Sequence, residues 1–171
     1  MSKRSRVIMQ NTTSRVIGII LLLLAVNWPA AAQEQRPAVQ QAPSFHFSGL
    51  NGESFDFPAQ RADKPTLLYF WATWCPYCKK ATPRVVKLHE QFSEQINVLA
   101  VNVGINDSVV KAQQYLRDYD IHFPVAFDHE SRISQAYHVF GTPVFVIVSQ
   151  SGQILYRGHR YPDGIEQALT N

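Results

Sequence analysis

The order of apolar runs and helical stripes predicts an α/β domain, a central mixed sheet flanked by helices and entered through a β-hairpin. Three observations carry this reading. Thr66–Ala72, Ile96–Val103 and Val144–Val148 are short apolar runs of strand length. The stretches after the first two repeat their apolar residues at helical spacing. Two alternating, phenylalanine-bearing runs come before all of them.

The elements follow in chain order. Phe45-His46-Phe47 and Phe55-Asp56-Phe57 flank Gly49-Leu50-Asn51-Gly52, a hairpin with turn residues between its arms. Thr66–Ala72 is apolar throughout, as expected for a strand covered on both faces. A helix is predicted from Pro76, because proline suits the first helical position, where its missing N–H has no intrahelical partner. Val85, Leu88 and Phe92 give it one apolar stripe, and Pro83 interrupts it and is expected to kink it. Ile96–Val103 is the next strand. Asn106 or Asp107 is the expected cap of a helix that buries Ala112, Tyr115, Leu116 and Tyr119. A short strand spans Phe123–Phe127. A helix is expected over Asp128–Phe140, with Ile133, Ala136, Tyr137 and Phe140 on one face. Gly141-Thr142-Pro143 breaks the chain before the strand Val144–Val148. Ser151-Gly152 turns it into Ile154–Arg157, and Tyr161-Pro162 starts a last helix with Ile165, Ala168 and Leu169 inside.

Composition narrows the classes. The 171 residues are 46% hydrophobic and 17% charged, too apolar for a disordered chain. Two cysteines exclude a disulfide-rich scaffold and a four-cysteine zinc site. The net charge of +3 comes from Lys3, Arg4, Arg6 and Arg15 at the N-terminus, and the remainder is near neutral. No nucleic-acid partner is expected.

The N-terminus reads as an address. Basic residues precede the apolar run Val16–Val26, and Ala30 and Ala32 form a small-residue cleavage pattern before Gln33. Residues 1–32 are therefore expected to be a secretory signal or, if retained, an N-terminal anchor. The apolar run is shorter than a membrane-spanning helix normally needs. Residues 33–43, QEQRPAVQQAP, are expected to be a flexible linker, and 44–171 the folded domain. The expected location is periplasmic or otherwise extracytoplasmic, an oxidising compartment.

Cys75 and Cys78 lie where a buried strand ends and a helix begins, in Trp74-Cys75-Pro76-Tyr77-Cys78. A helix N-terminus carries roughly half a positive charge, which favours a thiolate. Cysteines in CxxC motifs at such places reach pKa values of about 3.5–7.5, against about 8.5 for a free thiol. Cys75 is the natural nucleophile, and Cys78, one turn on, the resolving thiol. Half a zinc site and an inert bridge are the alternatives. The six histidines show no paired metal spacing, and a bridge closing so short a loop constrains the unfolded chain little. No metal and no cofactor is expected.

Phe70–Cys78, FWATWCPYC, resembles the active-site segment of thioredoxin-fold proteins, and more closely that of the TlpA/ResA-like thiol–disulfide oxidoreductases. Pro83 matches the kink proline of that fold, and Thr142-Pro143 the position of its cis-proline. Val101–Gly104, the helix after it and Phe123-Pro124-Val125 resemble the β-α insertion of the TlpA-like branch. The resemblance covers about residues 44–170. It implies a thioredoxin-like fold with an N-terminal hairpin and that insertion. It implies that Cys75 attacks a substrate disulfide, that Cys78 releases the product, and that Thr142 and Pro143 pair with a substrate strand beside the cysteines. Trp74, Pro76 and Tyr77 would then flank an exposed sulfur and contact substrate. Two departures leave the proton carrier unnamed. Tyr69 stands where thioredoxins have a buried acid, and Ile105 where ResA-like chains have a glutamate, with Asp107 close by.

The resemblance favours a reductase of exported proteins that carry disulfides or cysteine pairs, such as apocytochrome c, served by a membrane thiol donor. A disulfide oxidase or isomerase differs from it only in potential. A peroxidase would want a threonine three residues before its cysteine, where Ala72 stands, and a copper carrier a distal histidine, with His138 and His159 the candidates.

Overall fold

The computed structural model describes residues 40–50, 52, 54–58 and 63–170. The expected signal, 1–32, and linker residues 33–39 lie outside them. The strands are β1 (Phe45–Ser48), β2 (Ser54–Phe57), β3 (Thr66–Trp71), β4 (Asn97–Asn102), β5 (Val125–Phe127), β6 (Val144–Val148) and β7 (Ile154–Gly158). The helices are α1 (Pro76–Phe92), α2 (Val109–Asp118), α3 (Arg132–Ala136) and α4 (Ile165–Thr170).

Five strands form one sheet in the order β5-β4-β3-β6-β7. β3, β4 and β5 run parallel, while β6 is antiparallel to β3 and β7 to β6. The sheet is therefore mixed, as the closing hairpin predicted. β3 is central and buried at every position, which explains its unbroken apolar sequence. Leu67, Leu68 and Phe70 have essentially no exposure. Each such side chain contributes about 1.5–3 kcal/mol by leaving water. Tyr69 stacks on Phe145 of β6 at 5.1 Å between ring centroids, tying the middle of the sheet to the strand behind Pro143.

β1 and β2 form the predicted hairpin, with Phe45 opposite Phe57 and Phe47 opposite Phe55. Leu50 N–H donates to Val125 O at 2.8 Å, so the hairpin end docks on the edge strand of the main sheet. Gln40–Pro43, assigned by sequence to the linker, are also held. Ala42 N–H donates to Gly152 O and Ile154 N–H to Gln40 O, and Tyr137 Oη donates to Pro43 O.

α1 runs through Pro83 as one helix, although proline cannot supply the amide for the Lys79 carbonyl. Three expected helices differ from those observed. The cap of α2 is Ser108, whose Oγ accepts from Lys111 N, and not Asn106 or Asp107. Asn106 takes a left-handed conformation, and Asp107 is engaged elsewhere. On the same helix Ala112 and Tyr115 are buried, while Leu116 and Tyr119 are half-buried. α3 covers five residues and does not extend over Asp128–Phe140. The Asp128 carboxylate, buried, accepts from Ile133 N and Ser134 N and so satisfies its first turn. His138, with positive φ, follows its end, and Ala136 and Phe140 are exposed instead of packed. α4 begins at Ile165, because Tyr161 and Pro162 form a buried approach before it. Ala168 on α4 is exposed.

Candidate active site

Strand β3 delivers the chain to Ala72, and one turn later Cys75 becomes the N-cap of α1. Its backbone is extended, with φ −81° and ψ 113°, and Pro76 opens the helix as predicted. The Cys78 N–H donates to Cys75 Sγ at 3.1 Å, so the sulfur takes the capping role usually held by a serine or aspartate oxygen. Cys75 and Cys78 form a disulfide, their Cα atoms 5.2 Å apart. The first turn of α1 carries no acid, so nothing there offsets the positive end of a 17-residue helix.

The second wall is the loop before β6. The Thr142–Pro143 peptide is cis, as the resemblance implied. Thr142 O lies 3.4 Å from Cys75 Sγ. His159 Nδ1 lies 2.8 Å from Pro143 O, and since a carbonyl only accepts, that nitrogen carries the proton. Tertiary packing thus brings Cys75, Cys78, Thr142 and Pro143 together from two segments 67 residues apart.

One expectation is corrected. Cys75 does not expose its sulfur in this disulfide form, for the residue is 2% accessible. What faces water is the rim. Trp74 is 49% and Tyr77 71% exposed, and Pro76 is exposed beside them. Phe140, two residues before Thr142, is 93% exposed. Trp74, Ile105, Val139, Phe140 and Thr142 line an apolar cavity of about 410 Å³ beside the rim. Ser134 Oγ and Thr142 Oγ1, both from residues lining it, have no hydrogen-bond partner among the described residues.

Asp107 organises the loop that carries Trp74. Its Oδ2 accepts from Thr73 N at 2.7 Å and Asn102 Nδ2 at 2.9 Å. Its Oδ1 accepts from Thr73 Oγ1 at 2.8 Å and Ser108 N at 2.9 Å. Trp74 Nε1 adds a bond to Ile105 O at 2.8 Å. Burial alone would raise the Asp107 pKa, but the bonds from Asn102, Thr73 and Ser108 outweigh it and hold the carboxyl below its usual range. An ionised, fully bonded carboxylate is a clamp and a poor base. Asn102 is the other half of the clamp, with Oδ1 accepting from Gly104 N. Sequence reasoning missed Asn102 and Thr73; a polar residue inside the apolar run Ile96–Val103, buried in the structure, was the available signal for Asn102.

Under Cys78 lies a set of hydroxyls. Tyr69 Oη is 3.2 Å and Thr82 Oγ1 2.9 Å from Cys78 O. Thr82 Oγ1 also lies 3.0 Å from Tyr69 Oη and 2.9 Å from Tyr115 Oη. Burial pushes both tyrosine pKa values well above the usual phenol value, so both stay neutral. The place of a buried acid is thus filled by neutral groups that hold the Cys78 carbonyl. Among the described residues, no group of three His, Cys, Asp or Glu is arranged to hold a metal ion, and no helix is long and apolar enough to cross a membrane.

Comparison with known proteins agrees with this geometry. The AhpC/TSA family profile matches residues 38–157, most of the chain and all of the cysteine segment. The chain belongs to the AhpC/TSA family. Within that family it is similar to the thiol-disulfide oxidoreductase ResA of Bacillus subtilis, 28% identical over 81% of this chain and 79% of ResA. It is 30% identical to the thioredoxin-like protein YneN of the same organism, over 80% of this chain and 84% of YneN. A solved thiol-disulfide oxidoreductase from Bacteroides fragilis shares the fold, with a TM-score of 0.67 at 20% identity, covering 77% of this chain and 98% of that one. This AhpC/TSA member is therefore a thioredoxin-fold protein of the ResA-like group.

Proposed function

We propose that this thiol–disulfide oxidoreductase is exported and works as a reductase of protein disulfides through Cys75 and Cys78. The observation that carries the disulfide chemistry is the CxxC pair at the start of α1 with the Thr142 carbonyl 3.4 Å from Cys75 Sγ, and the reductase direction rests on the ResA-like resemblance. In the dithiol form, the Cys75 thiolate attacks one sulfur of a substrate disulfide. A mixed disulfide forms and the other substrate sulfur leaves as a thiolate, which takes a proton from water. Cys78 then gives up its proton and attacks Cys75 Sγ, releasing the second substrate thiolate and restoring the Cys75–Cys78 disulfide. Two electrons pass from protein to substrate. A membrane thiol donor is proposed to return them.

Thr142 and Pro143 support backbone pairing with a substrate strand, and the exposed Trp74, Pro76 and Tyr77 support apolar contact with it. Export rests on the signal pattern of residues 1–32, and apocytochrome c is one client with the required cysteine pair. Oxidase direction and peroxidase activity are the competing readings, and Ala72 in place of a threonine disfavours the second.

A Cys78→Ser variant incubated with a disulfide-bonded protein should accumulate a mixed disulfide at Cys75, and a Cys75→Ser variant none. Equal trapping by both would refute the assignment of roles. A reduction potential near −270 mV supports the reductase, and one near −120 mV would make it an oxidase.

A further inference from the structure

Phe140 and Gly141 line two recesses. One is the apolar cavity beside Trp74. The other, of about 500 Å³, is lined by His138, Arg157 and His159 besides those two residues. Every side chain in its lining that can carry charge is basic, and no carboxylate lines it.

Two groups of the recess, Arg157 and His159, are held in place. Arg157 donates through Nε and Nη2 to Tyr137 O and through Nη2 to His138 O at 2.6 Å, which anchors the guanidinium on the carbonyl end of α3. A guanidinium keeps its charge at any physiological pH, and its Nη1 makes no hydrogen bond among the described residues. His159 is fixed by its Nδ1 donation to Pro143 O, which leaves Nε2 unbonded among the described residues. The acids closest in sequence are engaged: Asp163 pairs with Arg84 at 3.1 Å, and Glu166 accepts from Tyr161 Oη at 3.0 Å.

We infer that this recess is a subsite for an acidic side chain of the polypeptide substrate, within a few residues of the cysteine under attack. The inference rests on the proposed docking of a substrate strand along Thr142–Pro143. The carbonyl that touches Cys75 Sγ and the carbonyl that holds His159 belong to adjacent residues. An extended strand advances about 3.3 Å per residue, so a residue near the target cysteine reaches the recess. Two edges of the guanidinium are spent on the Tyr137 and His138 carbonyls, so a carboxylate would accept from the remaining Nη1, beside a fixed positive charge. With apolar cavity and basic recess meeting at Phe140–Gly141, the surface selects substrates whose cysteine has an apolar residue on one flank and an acid on the other.

The test uses the full chain in its dithiol form and three synthetic peptides, each closed by one disulfide. They are identical except for Glu, Gln or Lys at one position near the attacked cysteine, and that position is scanned on both flanks. In single turnover by the pre-reduced protein, the Glu peptide at one position should be reduced with a second-order rate constant about three- to five-fold above the Gln peptide, as for an exposed ion pair, and the Lys peptide should fall below both. Raising sodium chloride from about 20 mM to about 300 mM shortens the screening length from roughly 20 Å to roughly 6 Å and should erase most of the gap. The Glu/Gln ratio is taken within each variant, so any general loss of activity cancels. Arg157→Gln should bring the ratio near one, and Arg157→Lys should keep most of it. A ratio that Arg157→Gln leaves intact, or equal turnover of all three peptides at every position, would overturn the subsite while leaving the reductase reading in place. Turnover of no peptide disulfide would instead remove the reading beneath it. Glutathione disulfide gives the last arm: if Arg157→Gln slows it as much as the Glu peptide, the recess binds small free carboxylates and not a substrate flank.

Discussion

Replacing Asp107 with asparagine keeps the shape of the side chain and removes its charge. The carboxylate accepts four hydrogen bonds, two per oxygen, at 2.7–2.9 Å. An amide offers one oxygen and must turn its NH2 toward the other pair; on the Oδ1 side the Thr73 hydroxyl can rotate to accept, but the Ser108 N–H cannot, so at least one of the four contacts becomes donor against donor. A hydrogen bond to a charged acceptor is worth about 1.5–3 kcal/mol. Asp107 is half-buried, so water relieves part of the loss, and we expect Asp107→Asn to cost about 2–3 kcal/mol. For a domain of this size that lowers the melting temperature by roughly 6–12 °C. The pH dependence has a definite sign. The folded carboxyl titrates below its unfolded value of about 3.9, so its contribution is complete above that value and is lost as pH falls through the folded pKa. The gap between wild type and variant should be full at neutral pH and close below about pH 4. The same change should slow disulfide exchange, because Thr73 and Trp74 lead directly into Cys75. Thermal unfolding followed by circular dichroism across this pH range is the assay. Melting curves that coincide at neutral pH would refute the clamp.

Three further changes test other parts of the architecture. Thr82→Val removes the hydroxyl that joins Cys78 O, Tyr69 and Tyr115 and should cost about 1–3 kcal/mol in urea unfolding, the range for leaving buried polar groups unpaired. Gly104→Ala should cost more than about 2 kcal/mol, because Gly104 has φ +71° and a Cβ there would run into the Asp128 carbonyl; a smaller loss in the same titration would show that the β4–α2 loop can move aside. Arg84→Gln removes an exposed ion pair with Asp163 and the guanidinium 3.9 Å from the Tyr161 ring centroid, and should change stability by at most about 1 kcal/mol.

Much of the sheet was legible in the sequence because its strands differ from their surroundings in ways that any window reveals. Thr66–Trp71 is apolar at every position, and only a strand covered on both faces tolerates that. The CxxC at the strand-to-helix junction and the proline at the first helical position placed the disulfide before any contact was known. The helix ends were harder. Phe140 completes a helical stripe on paper, yet α3 stops at Ala136 and Phe140 faces water. Periodicity locates a face but not an end, and His138 leaves the helical region there by adopting positive φ.

By itself the sequence determined the order of elements and the CxxC pair at a strand-to-helix junction, since both depend on local propensity and short spacing; the loop that faces the pair came from the family resemblance. Tertiary structure alone decided how the sulfur is surrounded. Its burial, the Thr142 carbonyl beside it, the Asp107 clamp on Thr73, the hydroxyls under Cys78 and the basic recess at Arg157 all join residues from separate elements. Such contacts depend on the register of strands and the docking of loops, and a one-residue shift in either would rearrange them without altering any local pattern.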